Sequence, residues 1–558
     1  MKHALMFALA AAIAGSIVVF GPLIAADEAS QVDAIFAKWT AATPGCAVGV
    51  AVDGRPVLTK AYGMADLEHD VKNTPDTIFE AGSVSKQFTA AAVLLLAREG
   101  KLSLDDPVKK YLPELPDYET PLLIRHMLNH TSGLRDWGSV ASIAGWPRTS
   151  RVYTHGHVLE IVNHQHALNF PTGTRWSYSN TGFNLAAIIV SRVSGMPFTD
   201  FTRTRLFEPL GMTHTSWRDD HTRVVKNRAI AYEEALDGFH TDMPFEKVYG
   251  NGGLLTTVGD LLKWNENFVS PKVGDASFVA EQQQVGRFSD GRAHDYALGL
   301  YNRTYKGVHQ VDHSGSTAGY RADLARYPDQ HLSVAVLCNV TSGNATPSGR
   351  AVADLYLGDR AKTPAPPPAT YALTAADIDR AAGLYRHTTT GVPLTISRAV
   401  DGLRAERGQS DGLNPNSGQR LIAMSATRFE TITHQTWEFD GGGGVRATDA
   451  FGRVDVYERA APATPSIEDL KDLTGVYVSD EAEATLTAAV EGNSLVIRRR
   501  PDTTRTLTPV YRDAFTAPQL GLVIFRRAEG RVTGLSVVQD RVWDLRFTRQ
   551  AAPVKTSQ

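Results

Sequence analysis

The 558-residue chain is poor in cysteine and has no excess of either charge. Its two cysteines, Cys46 and Cys338, are too few for a disulfide framework or a structural zinc site. Lysine and arginine number 57 against 60 aspartates and glutamates, a net charge of −3. This balance, without long runs of like charge, argues against a nucleic-acid partner. Because both cysteines lie in apolar, strand-like segments, we expect two buried free thiols.

The N-terminus has the features of a targeting segment. Lys2 precedes an uncharged stretch, residues 4–26, which Gly21-Pro22 interrupts. Small residues before Asp27 resemble a cleavage site, so residues 1–26 are predicted to be a signal peptide and the protein to be periplasmic or secreted. The alternative is an uncleaved anchor, since the stretch is long enough to span a bilayer. Contact with a membrane is expected only in that case.

Residues 27–360 are predicted to form one α+β domain. Apolar or alternating segments predict a hairpin at 46–62 and strands at 309–316, 319–327 and 331–340. Helices are predicted at 28–42, 120–129, 182–192, 257–267 and 348–357. The order of these elements predicts an antiparallel sheet whose first and last parts pair, with a helical insertion between them.

A proline-rich linker at 361–370 separates this domain from a region of short strands and polar turns. Two segments there begin alike, with Ala382-Gly383-Leu384-Tyr385 and Thr474-Gly475-Val476-Tyr477. We therefore predict two small all-β modules, residues 371–460 and 466–550, each an antiparallel barrel or sandwich. Binding of a partner and shaping of a cleft are both open as their roles.

The stretch that begins at Ser83 predicts a helix, because it is rich in alanine and leucine and is followed by Gly100. A serine at a helix N-terminus lies beside free backbone N–H groups. Lys86, one turn further on, shares its helix face and could take the serine proton if burial lowers the lysine pKa. Alone, Ser-x-x-Lys is a weak motif, since about one match is expected by chance in such a chain.

Two further motifs follow in order, Tyr178-Ser179-Asn180 in a polar loop and His313-Ser314-Gly315 in a predicted strand. Ser-x-x-Lys, Tyr-x-Asn and Lys/His-x-Gly in this order resemble the penicillin-recognising serine hydrolases, which include class C β-lactamases, D,D-carboxypeptidases, esterases and D-aminopeptidases. The segment Ser132-Gly-Leu-Arg-Asp-Trp137 and the two β-modules are most similar to the D-aminopeptidase branch. The resemblance implies a β-lactamase/transpeptidase-like fold for the first domain.

The resemblance also implies a role for each catalytic residue. Ser83 is expected to be the nucleophile, with Lys86 and Tyr178 sharing the general-base work. Nearby cations are expected to lower the pKa of Tyr178. Asn180 is expected to hydrogen-bond the substrate amide or Lys86. No metal or other cofactor is expected.

The third motif supplies the substrate-binding strand. The backbone N–H groups of Ser83 and Ser316 are expected to hold the oxyanion, and Gly315 allows the substrate to approach the strand. His313 stands where β-lactamases have a lysine that helps to hold a carboxylate. A neutral histidine predicts a preference for substrates without that carboxylate, unless Arg321 turns into the cleft and restores the charge.

We therefore predict a serine hydrolase that forms an acyl-enzyme on small peptide, amide or ester substrates, in the manner of a D-aminopeptidase. An esterase, a D,D-carboxypeptidase or a related β-lactamase-like enzyme is the alternative within the same fold. A penicillin-binding sensor that is acylated without turnover is the alternative from another class.

Four other patterns resemble functional motifs but are better explained as structural features. The Gly-x-Ser-x-Gly match at residues 408–412 is predicted to be a loop, and the glycines at 441–444 to be a hairpin turn. His-x-His pairs at 155–157 and 164–166 do not have metal-ligand spacing on a helix. His130 is expected to stabilise its turn rather than to pair with a serine.

The fold that the resemblance implies also bears on the cysteines. Its first strand lies antiparallel beside its last, which would bring Cys46 close to Cys338. Since export implies oxidising surroundings, a disulfide is the alternative to two free thiols.

Overall fold

The computed structural model describes residues 22–363, 365–400, 402–408, 418–441 and 443–551, with side chains from residue 28. Residues 1–21 of the predicted signal peptide lie outside this part of the chain, and helix α1 (Pro22–Phe36) begins before the predicted cleavage site. Within the described residues, no helix is long and apolar enough to cross a membrane.

The first domain combines helices with a central sheet. After α1, its helices are α2 (Ser85–Arg98), α3 (Ile124–Leu128), α4 (Trp137–Ile143), α5 (His155–Asn163), α6 (Asn180–Ser194), α7 (Phe198–Thr202), α8 (Glu208–Leu210), α9 (Val258–Glu266), α10 (Ala276–Gln283) and α11 (Ala345–Leu357). Shorter helical turns lie at Gly82–Val84, Val108–Lys110, Arg203–Phe207, Pro328–Gln330 and Gly358–Arg360.

Its strands are β1 (Cys46–Val52), β2 (Arg55–Tyr62), β3 (Met64–Asp66), β4 (Val71–Lys72), β5 (Phe79–Glu80), β6 (Ser216–Trp217), β7 (Tyr232–Ala235), β8 (Gly238–Thr241), β9 (Leu254–Thr256), β10 (Tyr301–Tyr305), β11 (Val308–Thr317), β12 (Tyr320–Tyr327) and β13 (Leu332–Cys338). The main sheet has the order β10-β11-β12-β13-β1-β2 and is antiparallel throughout. The predicted pairing of the first and last strands is confirmed.

Strand β1 explains how the sheet divides the domain into two layers. Successive side chains of a strand point to opposite faces. Ala47 and Ala51 pack into the core that contains α2, whereas Val48 and Val50 pack with α1 and α11 on the other face. Because its residues are buried on both faces, the strand is a continuous apolar run without polar alternation.

Helix α2 runs through the centre of the first domain. All its residues from Ser85 to Leu96 are buried, which is typical of a helix that is apolar on every side. It contacts α6 most extensively, and also α7 and α10. Lys86, in the first turn of this helix, is therefore fully buried.

Two predicted helices have different bounds in the structure. The helix predicted at 120–129 is shortened to Ile124–Leu128, because Leu123 is extended and bridges to Pro107. The helix predicted at 28–42 ends at Phe36, after which hydrogen bonds between Thr40 and Thr43 hold a turn. Threonine side chains compete with helix hydrogen bonds in this way.

The two modules that follow are closed eight-stranded barrels, as predicted. Helix α12 (Ala375–Ala381) precedes the first barrel, with strands β14 (Gly383–His387), β15 (Pro393–Ala399), β16 (Gly402–Arg407), β17 (Gln419–Ala423), β18 (Arg428–Glu430), β19 (Thr436–Phe439), β20 (Gly444–Thr448) and β21 (Val454–Arg459). Helix α13 (Ile467–Asp472) precedes the second, with β22 (Gly475–Ser479), β23 (Ala484–Glu491), β24 (Ser494–Arg499), β25 (Thr503–Tyr511), β26 (Ala514–Ala517), β27 (Gly521–Ala528), β28 (Arg531–Gln539) and β29 (Val542–Arg549).

The second barrel is docked on helix α4 of the first domain. Val140, Ile143 and Ala144 belong to the same apolar cluster as the barrel interior. The buried side chain of Arg135 forms an ion pair with Glu481 of the barrel at 2.8 Å. Apolar burial together with a buried ion pair fixes the position of the barrel relative to the first domain.

The expectation of two free thiols is wrong. Cys46 of β1 is the register partner of Cys338 of β13, and the two form a disulfide. Apolar strand sequences indicate buried sulfurs, but only the pairing of the first and last strands brings these two together.

Removal of this bond is expected to lower the free energy of unfolding by about 2–4 kcal/mol, because it closes a long loop in the unfolded chain. The Cys46→Ala/Cys338→Ala double variant tests this by urea denaturation. When the wild-type protein is denatured without reductant and treated with an alkylating reagent, its mass should not change. Two alkylated cysteines would contradict the assignment.

Candidate active site

Ser83 lies in a single helical turn, Gly82–Val84, that leads directly into α2. The structure therefore starts the α-helix two residues later than the sequence predicts. Gly82 has a φ of +49°, which glycine adopts without strain. A Cβ atom at Gly82 would lie 2.6 Å from the backbone nitrogen of Ser316. The turn thus presents Ser83 directly against strand β11.

Lys86 is fully buried one helical turn from Ser83. Its Nζ lies 3.1 Å from Ser83 Oγ, 2.9 Å from Asn180 Oδ1 and 2.7 Å from the carbonyl oxygen of Asn251. No carboxylate among the described residues lies within ion-pair distance of this nitrogen. A neutral amine in this position would donate to the two acceptors and direct its lone pair at the serine hydroxyl.

Burial holds the pKa of Lys86 well below its usual 10.5, and the positive charge of Arg541 lowers it further. Desolvation favours the neutral form of a lysine, and a nearby cation acts in the same direction. The sequence indicated that Lys86 can accept the serine proton only if its pKa is lowered. The structure meets that requirement.

Tyr178 lies between Ser83 and the second barrel. Its hydroxyl lies near that of Ser83, and its ring centre is 4.8 Å from Lys86 Nζ. Burial raises the pKa of Tyr178 to about 12, although Arg541 partly opposes this. The expectation of a lowered tyrosine pKa is therefore wrong, because desolvation of the phenolate outweighs the nearby positive charge. At neutral pH Tyr178 is a phenol that can donate a proton.

Asn180 is the first residue of α6 and joins Lys86 to a second helix. Its backbone N–H donates to Asp136 Oδ2 at 2.8 Å. The other oxygen of Asp136 caps α4 by accepting from the N–H groups of Gly138 and Ser139. One carboxylate therefore fixes the start of both helices, and with them the amide side chain beside Lys86.

His313 lies in the cavity wall, but both its ring nitrogens are occupied. Nδ1 is 2.6 Å from the carbonyl oxygen of Ser314, and Nε2 is 2.9 Å from the hydroxyl of Tyr296. Because a carbonyl only accepts, Nδ1 carries the proton and Nε2 accepts from the tyrosine. Burial lowers the pKa of His313 to about 3, so the ring is neutral.

Gly315 allows β11 to lie against the turn that carries the serine. A Cβ atom there would be 2.0 Å from the carbonyl oxygen of Ala81 and 3.1 Å from the nitrogen of Ser83. Only glycine fits at this position. The backbone of Ser83 and that of Ser316 border the same cavity, as an oxyanion site requires.

The cavity has a volume of about 580 Å³ and is bordered by all three motifs. The predicted residues Ser83, Tyr178, Asn180, His313, Gly315 and Ser316 line it, and Lys86 lies beneath Ser83. The structure therefore brings the whole predicted set together.

The sequence did not predict two other residues of the site, Asn251 and Arg541. The carbonyl of Asn251 comes from a glycine-rich loop, and the clustering of Gly250, Gly252 and Gly253 was the available signal. Arg541 comes from the turn between β28 and β29 of the second barrel and lines the cavity. Its sequence surroundings gave no indication of this, because its position depends on how the barrel docks.

His130 supports the tyrosine loop, in line with the predicted role in a turn. Its backbone has a φ of 61°, and Nδ1 accepts from the N–H of Ser179 at 3.3 Å. Its ring centre lies 4.3 Å from that of Tyr178 and 4.5 Å from that of Tyr296. The histidine thus packs behind the ring of Tyr178.

The remaining patterns do not form sites in the described part of the chain. His155 bonds the backbone of Tyr249, and His157 caps the start of α5. Gly441 and Gly443 lie in the turn between β19 and β20, as predicted, and Gly444 begins β20. Ser410, in the Gly-x-Ser-x-Gly match, lies outside the described residues.

Comparison with known proteins identifies the family of the chain. A family model described as Beta-lactamase matches residues 32–358, which is more than half of the chain. The protein therefore belongs to the β-lactamase family and is a hydrolase of the serine type. The resemblance found in the sequence is confirmed.

Relatives of known name extend over most of the chain. A D-aminopeptidase of Gluconobacter oxydans (strain 621H) is 27% identical over 456 residues, 80% of this chain and 82% of the relative. A D-aminopeptidase of Brucella ovis is 26% identical over 513 residues, 88% of this chain and 93% of the relative. The alignments thus include the barrel region as well as the first domain.

Solved structures show the same fold. The octameric penicillin-binding protein homologue from Pyrococcus abyssi matches with a TM-score of 0.54 and 22% identity, covering 78% of this chain and 99% of that one. A D-stereospecific amidohydrolase from Streptomyces sp. matches with a TM-score of 0.50 and 22% identity, covering 60% and 99% respectively.

The neutrality of His313 leads to a prediction for the His313→Gln variant. Glutamine is uncharged, and the imidazole is already neutral above about pH 5 because its pKa is so low. The pH profile of kcat/KM between pH 5 and 8 should therefore have the same shape in both proteins. If the wild-type kcat/KM changes with a midpoint near pH 6.5 and the variant lacks this change, His313 titrates during activity.

Proposed function

We propose that the protein hydrolyses amide or ester bonds of D-amino acid derivatives through an acyl-enzyme on Ser83. The observation that carries this proposal is the contact of 3.1 Å between the buried amine of Lys86 and the serine hydroxyl. The D-aminopeptidase relatives, at 26–27% identity over most of the chain, support the choice of D-substrates.

In the first step, Ser83 Oγ attacks the carbonyl carbon of the substrate while its proton moves to Lys86 Nζ. The negative charge that develops on the carbonyl oxygen is held by the N–H groups of Ser83 and Ser316. Lys86 is a suitable base because its pKa lies well below that of an ordinary lysine.

Collapse of the tetrahedral intermediate breaks the bond between the carbonyl carbon and the leaving nitrogen or oxygen. Tyr178, a neutral phenol near Ser83, gives its proton to the leaving group and recovers one from the Lys86 ammonium. The acyl group is then esterified to Ser83. Lys86 is again neutral and ready for the second step.

Deacylation uses the same groups in the opposite direction. A water molecule attacks the ester carbon while its proton moves to Lys86. The carbon–Oγ bond breaks, Ser83 recovers the proton, and the acid is released. We further propose that this chemistry takes place outside the cytoplasm, on the basis of the N-terminal segment alone.

Covalent labelling tests the nucleophile. A fluorophosphonate should add to the peptide that contains Ser83, and Ser83→Ala should abolish the label without changing thermal unfolding. Lys86→Met, which removes the amine but keeps the volume, should slow labelling by about 100-fold or more because proton transfer is lost. Ser194→Ala, a serine outside the cavity, is the control.

Labelling at Ser410 in place of Ser83 would overturn the assignment. Product release from a D-alanyl anilide or ester in excess of one equivalent per enzyme separates a hydrolase from a sensor. If release stops at one equivalent, the protein is acylated without turnover and the hydrolase proposal fails.

A further inference from the structure

The second barrel places an arginine in the catalytic cavity. Arg541 lies in the turn between β28 and β29, and its carbonyl oxygen accepts from the N–H of Asp136 and the side chain of Asn169. Its guanidinium carbon is 4.7 Å from the ring centre of Tyr178. Two contacts to the backbone therefore fix the turn, while the aromatic face orients the guanidinium.

This guanidinium has no carboxylate partner among the described residues. Two arginines close to the site differ from it in this respect, since Arg148 is paired with Glu246 and Arg218 with Glu80. Arg321, which also lines the cavity, donates to the carbonyl oxygens of Ala318 and Tyr320. Asp242 lies close enough to Arg321 to act on its charge, so among the described residues Arg541 is the arginine of this cavity that no carboxylate balances.

Of the described residues that line this cavity, none is an aspartate or glutamate. The adjoining cavity contains Asp136, but its two oxygens already accept three backbone N–H groups. A free α-ammonium group on a substrate would therefore meet arginine, and no carboxylate among the described residues that line this cavity. A substrate carboxylate would meet an unpaired guanidinium, which binds it in two parallel hydrogen bonds.

The arginines of the cavity change what the sequence predicted for His313. The predicted preference for substrates without a carboxylate depended on the absence of another cation in the cleft. Arg321 lines the cavity, and Arg541 lies above the catalytic tyrosine. The neutral ring of His313 therefore leaves the carboxylate to these arginines.

We propose that Arg541 of the second barrel binds a substrate carboxylate beside the scissile bond, so that the enzyme prefers peptides ending in a free D-amino acid to substrates with a free α-ammonium group. This inference rests on the proposed acyl-enzyme at Ser83. It assigns the second barrel a direct part in substrate selection. It also favours carboxypeptidase over aminopeptidase chemistry for this chain.

A matched pair of substrates tests the proposal. N-acetyl-D-alanyl-D-alanine carries the carboxylate, and its C-terminal amide differs only in lacking that charge. The ratio of kcat/KM for the acid to that for the amide cancels effects of Arg541 on Lys86 and Tyr178, because both substrates use the same catalytic groups. If turnover is slow, the ratio is taken from the rate of Ser83 acylation.

The wild-type ratio should exceed 10 and should fall by roughly 10- to 100-fold in Arg541→Gln, mainly through KM, since a charge-assisted hydrogen bond is lost. Arg541→Lys should give an intermediate ratio. Arg512→Gln, an exposed arginine of the same barrel, should leave the ratio at the wild-type value. Thermal unfolding of each variant checks that the barrel remains folded.

A wild-type ratio near 1, or one that Arg541→Gln does not change, would overturn the inference. Faster cleavage of D-alanyl p-nitroanilide, which carries a free ammonium, than of the acid would do the same while leaving the acyl-enzyme intact. Absence of any label at Ser83 would instead refute the proposed function and, with it, this inference.

Discussion

The amine of Lys86 is buried and has no carboxylate partner in the described part of the chain, and the first domain is built around that constraint. Its three hydrogen-bond partners come from separate parts of the chain: Ser83 before α2, Asn180 at the start of α6 and the carbonyl of Asn251. An unpaired charge in such a place is strongly disfavoured, so the amine gives up its proton more readily than lysines in water. The burial of α2 thus produces the basicity that the chemistry needs.

The second barrel and the catalytic residues form one connected unit. Asp136 accepts from Asn180 on one side, and its own N–H donates to the carbonyl of Arg541 on the other. The helix that Asp136 caps packs its apolar residues into the barrel cluster. Asp136 at the start of α4 thus positions both Asn180 and Arg541. In this way a barrel that carries none of the three sequence motifs contributes a side chain to the cavity.

The sequence predicted features that depend on local spacing, left the disulfide as an alternative to free thiols, and missed other features that depend on docking and burial. Ser83 and Lys86 are three residues apart at the start of a helix, and the composition of the barrels differs from that of the first domain, so both were accessible. The disulfide of Cys46 and Cys338, the raised pKa of Tyr178 and the place of Arg541 depend on long-range packing. A pattern of residue types does not show how strongly the phenol of Tyr178 is desolvated or where the turn that carries Arg541 lies in the folded protein.

The most direct test is the pKa of Lys86 itself. Titration of the ¹³Cε resonance of Lys86 in lysine-labelled protein, assigned by its absence from Lys86→Met, measures this value in the folded state. Burial predicts a midpoint well below 10.5. A midpoint close to 10.5 would mean that Lys86 is an ammonium at neutral pH, and it could not then accept the proton of Ser83.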